Sequence, residues 1–367
     1  MIRVFFIINS YTAGVGAEAL LTTIVNALDH SKYDIGIMEI IHYPNKIEKV
    51  HESVKIYPYF VEADAPDRKQ RMYSVYHEWD KVIEQYIPDD YDIYISFNYL
   101  KPSFLLPPDK KGIAWIHGDL YNLNTEKFTE EKELQRQAFA NVDRIVAISD
   151  ITHQSIMDLY PEYMSKVVDI YNGIDTKRVI EMSKQDCSVR LEDKSILAVG
   201  RLDKNKDPMH LLRVFNGVHQ KCKEAHLYYL GYGPLEDEVN ATAAEMGINQ
   251  YVHTLGYYEN PFPVIRQCKV VAMLSVSEGF PMALLEAVSL GKPFVSTVVG
   301  GSRILADGQR CGKVTDDDAL IEQYLLEYLN GDSEEAKKAC AESIKRFDMK
   351  NYIKRIEDLI EEVLKES

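Results

Sequence analysis

The chain has 367 residues, 46% of them hydrophobic and 27% charged, which is the composition of a soluble globular protein with room for two domains. A formal net charge of −15 with no long Lys/Arg run excludes general nucleic-acid binding, so no nucleic-acid partner is expected. Five cysteines without a CxxC spacing exclude a disulfide framework and a zinc site, and point to the reduced cytoplasm.

Ile2 to Asn9 reads as a strand, Gly16 to Leu28 as a helix and Ile35 to Ile41 as a second strand. Residues 2–8 lack the basic leader and cleavage site of a secretion signal, and no stretch reaches the length of a membrane span, so membrane contact is expected to be peripheral at most. Between the first strand and helix lies Ser10 to Gly16, a turn carrying Gly14 and Gly16. It reads either as a loop that lets a ligand approach the backbone or as a plain tight turn, and it lacks the full GxGxxG spacing of a dinucleotide site. Arg68 to Ile87 is expected to be one helix with Met72, Val75, Tyr76, Trp79, Val82, Ile83 and Tyr86 on its apolar side. Arg68, Lys69 and Arg71 form the one close basic cluster ahead of an amphipathic run, too little in an acidic chain for strong attraction to anionic lipid. Strands follow at Ile93 to Phe97, Gly112 to Ile116 and Arg144 to Ile148. His117 falls just past a strand end, where open α/β sheets collect ligands, although a lone histidine is more often structural. Val167 to Tyr171 is the last strand of this half, and the polar segment 177–194 reads as part helix, part linker.

The second half restarts the alternation with a strand at Ser195 to Val199, a loop at 200–208 and a helix at Met209 to Lys221. Arg201 and Lys206 flank that loop, as two cations suited to a diphosphate or as solvated surface charge. His226 to Leu230, Val252 to Leu255, Val270 to Leu274 and Pro293 to Val298 complete a mostly parallel sheet, and Gly300-Gly301 follows the last strand. After Val270 to Leu274 comes SEGFPMALLE, residues 277–286, read as a tight loop opening a helix with Pro281 as first helical residue and Gly291 as C-terminal stop. The helix N-terminus would offer free N–H groups to a phosphate or a sugar hydroxyl. Glu278 and Glu286 stand roughly 12 Å apart along such a helix, so they would hold two parts of one extended ligand, or else be ordinary surface acids. Residues 320–330, 333–344 and 352–364 read as helices. Asp90-Tyr91-Asp92 and Asp316-Asp317-Asp318 carry a DxD spacing that could hold a metal, but their placement reads as surface acids or helix caps.

Taken together, GRLDKNK at 200–206, GYGPL at 231–235, SEGFPMALLE and the glycine pair resemble glycosyltransferase family 4, retaining enzymes of the GT-B fold. AISD at 147–150, YNGID at 171–175 and the glycine turn at 13–16 resemble the family more loosely. The resemblance implies an α/β architecture of two Rossmann-like, doubly wound domains facing a cleft. Residues 1–176 would bind the acceptor and 177–346 a nucleotide-sugar, with a helix at 347–367 crossing back to the first domain. It implies a UDP-sugar, or a GDP-sugar, as donor substrate, no cofactor and no required metal. Arg201 and Lys206 would neutralise the donor diphosphate. Glu286 would bind the ribose, and Glu278 the transferred sugar, helped by N–H groups of Gly279, Phe280 and Met282. His117 would contact the sugar, while Gly14 and Gly16 would let the first loop reach the phosphates. Arg303 stands where many members carry a glutamate. The implied reaction moves a hexose or related sugar to a glycan, lipid-linked or polymer acceptor, with retention, in surface polysaccharide or teichoic-acid-type biosynthesis. Competing readings are a GT-B sugar-nucleotide 2-epimerase, a catalytically silent relative and a non-catalytic two-domain sugar-binding protein.

Overall fold

The computed structural model describes residues 1–12, 16–45, 49–98, 100–332 and 334–366. The chain divides into two units, Met1–Tyr171 with Tyr352–Ser367, and Asn172–Asn351.

The first unit is built on β1 (Ile2–Ile8), β2 (Tyr33–Glu39), β4 (Lys55–Ile56), β6 (Ile93–Phe97), β7 (Lys111–Ile116), β8 (Arg144–Ala147) and β9 (Val167–Asp169), with a small ribbon of β3 (Ile41–His42) and β5 (Val61–Glu62). The large sheet runs β4-β2-β1-β6-β7-β8-β9 and every pairing is parallel, with Val4 opposite both Ile35 and Ile93. Val4 through Ile8 are fully buried, as expected of a central parallel strand covered on both faces. The chain winds outward from β1 to β2 and β4, then returns to place β6 on the other side of β1, so its switch point lies between β1 and β6. The helix Met349–Lys365 spans the unit boundary, and from Tyr352 onward it belongs to this unit. It buries Tyr352, Ile356, Leu359, Ile360 and Val363 at helical spacing, while its outer edge pairs Glu361 with Lys32 and Glu362 with Arg144 at 3.0 Å.

The second unit carries β10 (Ser195–Val199), β11 (His226–Leu230), β12 (Val252–Thr254), β13 (Val270–Met273), β14 (Phe294–Ser296) and β15 (Gly312–Val314) in the order β12-β11-β10-β13-β14-β15, again all parallel. Its switch point lies between β10 and β13. Leu212, Phe215 and Val218 of the helix Pro208–Lys221 pack with Ile196, Leu227 and Val270 of the sheet in one core. Glycine is required where the ends of β10 and β11 touch. Gly231 has φ +143°, and a Cβ there would stand 2.0 Å from the Gly200 carbonyl oxygen.

Three sequence expectations are corrected. The helix expected over 68–87 is two, Arg68–His77 and Trp79–Tyr86, broken at Glu78, whose φ of −135° leaves the helical range. The second sheet does not end at Pro293 to Val298, because β15 pairs along its edge; three residues are too short to leave a periodic signal. Pro281 is the N-cap of its helix and not its first residue, with ψ 86° and the helix running Met282–Ser289. The C-terminal stop is as read: Gly291 has φ +68°, its N–H reaches Val288 O at 3.0 Å, and the Lys292 N–H reaches Ala287 O at 2.9 Å. Among the described residues no helix is long and apolar enough to cross a membrane.

Candidate active site

In the second unit the loops leaving β10 and β13 meet at the switch point, where strand order reverses and a crevice opens at the strands' C-terminal ends. The first loop is shaped by its own side chains. Asp203 Oδ1 accepts from the N–H groups of Asn205 at 3.1 Å and Lys206 at 3.0 Å, closing a turn. Asp207 then adopts φ +39°, rare for a residue with a side chain, and caps the next helix by accepting from the His210 N–H at 3.0 Å. Asn205 stitches this loop to the other: its Nδ2 donates to Ser277 O at 2.9 Å and its carbonyl accepts from the Val276 N–H at 2.8 Å.

This stitching sets Lys206 beside Glu278, with Nζ 2.5 Å from Oε1 and side chains 27% and 12% exposed. A charge-assisted contact between two shielded groups holds both at the crevice in defined positions. Arg201 is different, since its side chain is 65% exposed and lies 3.6 Å from Asp203 Oδ2, free to swing to an incoming anion. Gly200, Arg201, Lys206, Met273 and Ser275 line a cavity of about 30 Å³, and the buried Ser275 hydroxyl has no partner among the described residues.

The helix Met282–Ser289 begins at the end of the second loop with no side-chain cap; the Leu284 and Leu285 N–H groups close on the Pro281 carbonyl at 3.0 and 3.1 Å, and those of Met282 and Ala283 face the loop. Glu286 is half-buried on this helix, and burial alone pushes its carboxyl up to about 7. Phe280 serves packing: it is buried, its ring lies 5.9 Å from that of Phe347, and a Cβ on Gly301 would come within 2.5 Å of it. Gly279 and Met282 are half-buried, and the Met282 Sδ lies 3.8 Å from Asn172 Nδ2. The Asn172 Oδ1 is buried and has no partner among the described residues. Arg303 is exposed on the short helix Ser302–Ala306.

In the first unit His117 directly follows β7. Its ring lies 4.3 Å from that of Phe97, its Nε2 is buried without a partner among the described residues, and burial lowers its pKa to about 3, so it is a neutral imidazole at physiological pH. Asn9 Oδ1, Ser96 Oγ and Trp115 Nε1, also buried and unpartnered among the described residues, stand at the same end of β1, β6 and β7. Asn98, just past β6 at the switch point, has φ +75°. Gly14 lies outside the described residues. Gly16 opens the helix Gly16–Ala27, is exposed, and a Cβ there would meet nothing within 4 Å, so packing does not demand its glycine.

Both DxD segments are held structurally. Asp90 and Asp92 bind Arg3, Asp316 accepts from the Val298 N–H, Asp317 caps the helix Asp318–Asn330, and Asp318 lies 2.6 Å from His210 Nε2. Among the described residues no three His, Cys, Asp or Glu side chains form a metal-holding group. Sequence reasoning missed Asn205, whose short polar side chain gave no sign of a partner 72 residues away, and Asn172, visible only as part of YNGID.

Two family models match the chain, "Glycosyltransferase Family 4" over residues 15–178 and "Glycosyl transferases group 1" over residues 193–330. A curated relative from Campylobacter jejuni, N-acetylgalactosamine-N,N'-diacetylbacillosaminyl-diphospho-undecaprenol 4-alpha-N-acetylgalactosaminyltransferase, is 30% identical over 178 residues, 48% of this chain and 47% of its own. The chain spans about half the length, or less, of the first curated relatives it matches. Among solved structures, a lipopolysaccharide outer core galactosyltransferase aligns with a TM-score of 0.72 at 20% identity, covering 98% of this chain and 99% of that one. The Anabaena protein HepE in complex with UDP aligns with a TM-score of 0.73 at 17% identity, over 98% and 100%. The shared architecture is the two-domain GT-B fold.

Proposed function

We propose, for a chain that belongs to glycosyltransferase family 4, that it moves a hexose or related sugar from a nucleotide-sugar to a glycan, lipid-linked or polymer acceptor. The observation that carries this reading is the Lys206–Glu278 pair, which joins the loop after β10, where the exposed Arg201 also stands, to the loop after β13, from which the helix carrying Glu286 begins without a side-chain cap. A nucleoside diphosphate sugar presents two phosphates, a diol on the ribose and hydroxyls on the sugar, and these groups answer one another in kind. Arg201 and Lys206 meet the diphosphate, Glu286 accepts from the ribose hydroxyls, and Glu278 with the loop N–H groups holds the sugar.

Breaking the glycosyl–phosphate bond puts positive charge on the sugar and negative charge on the leaving diphosphate, so fixed cations beside the phosphates lower the barrier. Glu278 is tied to Lys206 and so is ill placed to act as a nucleophile on the sugar. Retention, which the family resemblance implies, then requires the acceptor hydroxyl to attack from the face the diphosphate leaves. The new C–O bond forms as the glycosyl–phosphate bond breaks, and the hydroxyl proton passes to the departing phosphate oxygen. UDP-sugars are the donors proposed first, in keeping with the UDP bound by the Anabaena neighbour. The acceptors of the relatives fit work in surface polysaccharide assembly, with the enzyme peripheral at the inner face of the membrane.

The test is the stereochemistry of slow donor hydrolysis, followed by proton NMR for UDP-glucose, UDP-galactose, UDP-N-acetylglucosamine and GDP-mannose. An α-linked donor that is consumed should release the α anomer first. First appearance of the β anomer would overturn retention, and consumption of none of the four, with or without a lipid extract as acceptor source, would overturn the transferase reading.

A further inference from the structure

Each of the two cations assigned above to the diphosphate faces an acid of the same unit. Lys206 Nζ stands 2.5 Å from Glu278 Oε1, and Arg201 Nε lies 3.6 Å from Asp203 Oδ2. An anion site gains nothing in strength from carboxylates set against its cations, so each acid needs a reason to be there. Asp203 has one in its own loop, where Oδ1 accepts from the Asn205 and Lys206 N–H groups and closes the turn. Glu278 comes from the other loop, 72 residues away in sequence, and its side chain is only 12% exposed. The join between the two loops does not depend on it. Asn205 Nδ2 already donates to Ser277 O at 2.9 Å, and the Asn205 carbonyl accepts from the Val276 N–H at 2.8 Å. A shielded carboxylate is costly to place, and at this position it balances the very charge that would attract a phosphate.

The chemistry of donor and product supplies the reason. An intact nucleotide-sugar presents hydroxyls at its sugar end, and each can donate a hydrogen bond to a carboxylate. Once the sugar has left, the nucleoside diphosphate carries a further negative charge on the oxygen that held it, and at neutral pH that oxygen is mostly without a proton to offer. Beside Glu278 the first arrangement attracts and the second repels, and shielding from water strengthens both. We propose that Glu278 is a specificity-determining residue that separates donor from product, favouring the intact nucleotide-sugar and expelling the nucleoside diphosphate after transfer. Lys206, with its charge partly balanced, holds the donor without retaining the more highly charged product. The inference rests on the transferase reading above and on its placing of the sugar at Glu278.

The experiment is calorimetric titration of Glu278→Gln and of the wild-type chain with UDP and with the UDP-sugar that the wild-type chain consumes, over times short against its slow hydrolysis. If GDP-mannose is the donor consumed, GDP takes the place of UDP. Glutamine keeps the volume and the hydrogen-bonding reach of the side chain but not its charge. UDP should bind the variant about tenfold or more tightly than it binds wild type, while the nucleotide-sugar binds no tighter, so the preference for donor over product falls by about the same factor. A carboxylate that served only the fold would, when replaced, weaken both ligands or leave both unchanged. Should Glu278→Gln fail to fold, Glu278→Ser, equally uncharged, is read in its place. UDP bound no more tightly by the folded variant than by wild type, or both ligands tightened alike, overturns the inference, while UDP binding and turnover by the wild-type chain leave the transferase reading standing. No turnover and no nucleotide binding by the wild-type chain would overturn both.

Discussion

Replacing Lys206 by alanine should lower kcat about a hundredfold or more. Two effects separate at this residue. Lys206 faces the charge that develops on the leaving diphosphate, and it also neutralises Glu278, whose carboxylate is 12% exposed at 2.5 Å from it. Removing the lysine leaves that carboxylate shielded and unpaired, at a cost on the order of 1–3 kcal/mol of stability. The double variant Lys206→Ala/Glu278→Gln resolves the two. If Lys206 acted only by neutralising Glu278, the double variant would recover stability and turn over as fast as Glu278→Gln alone. The proposed role requires that stability return and kcat stay well below that of Glu278→Gln. Arg201→Ala should slow turnover with almost no change in stability, because the Arg201 side chain is 65% exposed and its carboxylate contact is long. Steady-state rates and thermal unfolding on wild type and these four variants check this, and near-wild-type rates in both single cation variants would return the pair to plain surface charge.

The second large effect is a pH dependence centred on Glu286. Burial raises its carboxyl from 4.5 to about 7 in the folded protein. Between those values the folded state holds a proton that the unfolded chain has released, so folding binds protons and stability falls as pH rises from about 4.5 to about 7. A shift of this size corresponds to roughly 3 kcal/mol over the window, flat on either side. Glu286→Gln has no proton to lose, so the difference between wild type and variant in urea unfolding, measured from pH 4 to 8.5, isolates the term from other titrating groups. The two curves should diverge with rising pH and level off above about pH 8, with the variant the more stable there. Parallel curves would show that the Glu286 carboxyl is already solvated. The same burial bears on binding. A carboxylate accepts from both hydroxyls of a diol, so bound nucleotide should pull the Glu286 pKa back down, and UDP affinity should strengthen between pH 6 and 8.

What could be read in the sequence divides along physical lines. Elements whose cause is local were legible: the apolar run of β1, the strand–loop–helix signature around SEGFPMALLE, and the stop at Gly291, where glycine alone tolerates φ +68° cheaply. Residue types at the strand ends were legible for the same reason, since a loop that follows a parallel strand falls at the ligand edge whatever its partners. Contacts made by folding were not. The Lys206–Glu278 pair closes over 72 residues, and the hydrogen bonds of the buried Glu39 carboxylate to the Tyr11 and Thr12 N–H groups over 28 and 27. In the sequence Glu39 is an acid inside a strand, which a solvent-facing position explains equally well until its burial is known. The edge strands β4 and β15 have two and three residues and stand because a neighbour offers unpaired main-chain groups, not because of their own pattern. The break at Glu78 interrupts a run whose apolar spacing continues across it, so periodicity joined what the backbone divides.

The central claim is that the loops after β10 and β13 hold a nucleoside diphosphate. Calorimetric titration of UDP into the wild-type chain, the Lys206→Ala variant and the Glu286→Gln variant at one pH tests it most directly. The account predicts saturable one-to-one binding to the wild-type chain, weakened about tenfold or more in each variant by loss of a charged contact to the diphosphate or of hydrogen bonds to the ribose. Equal UDP affinity in all three proteins would contradict it, because the ligand would then be bound elsewhere than at the crevice these two side chains define.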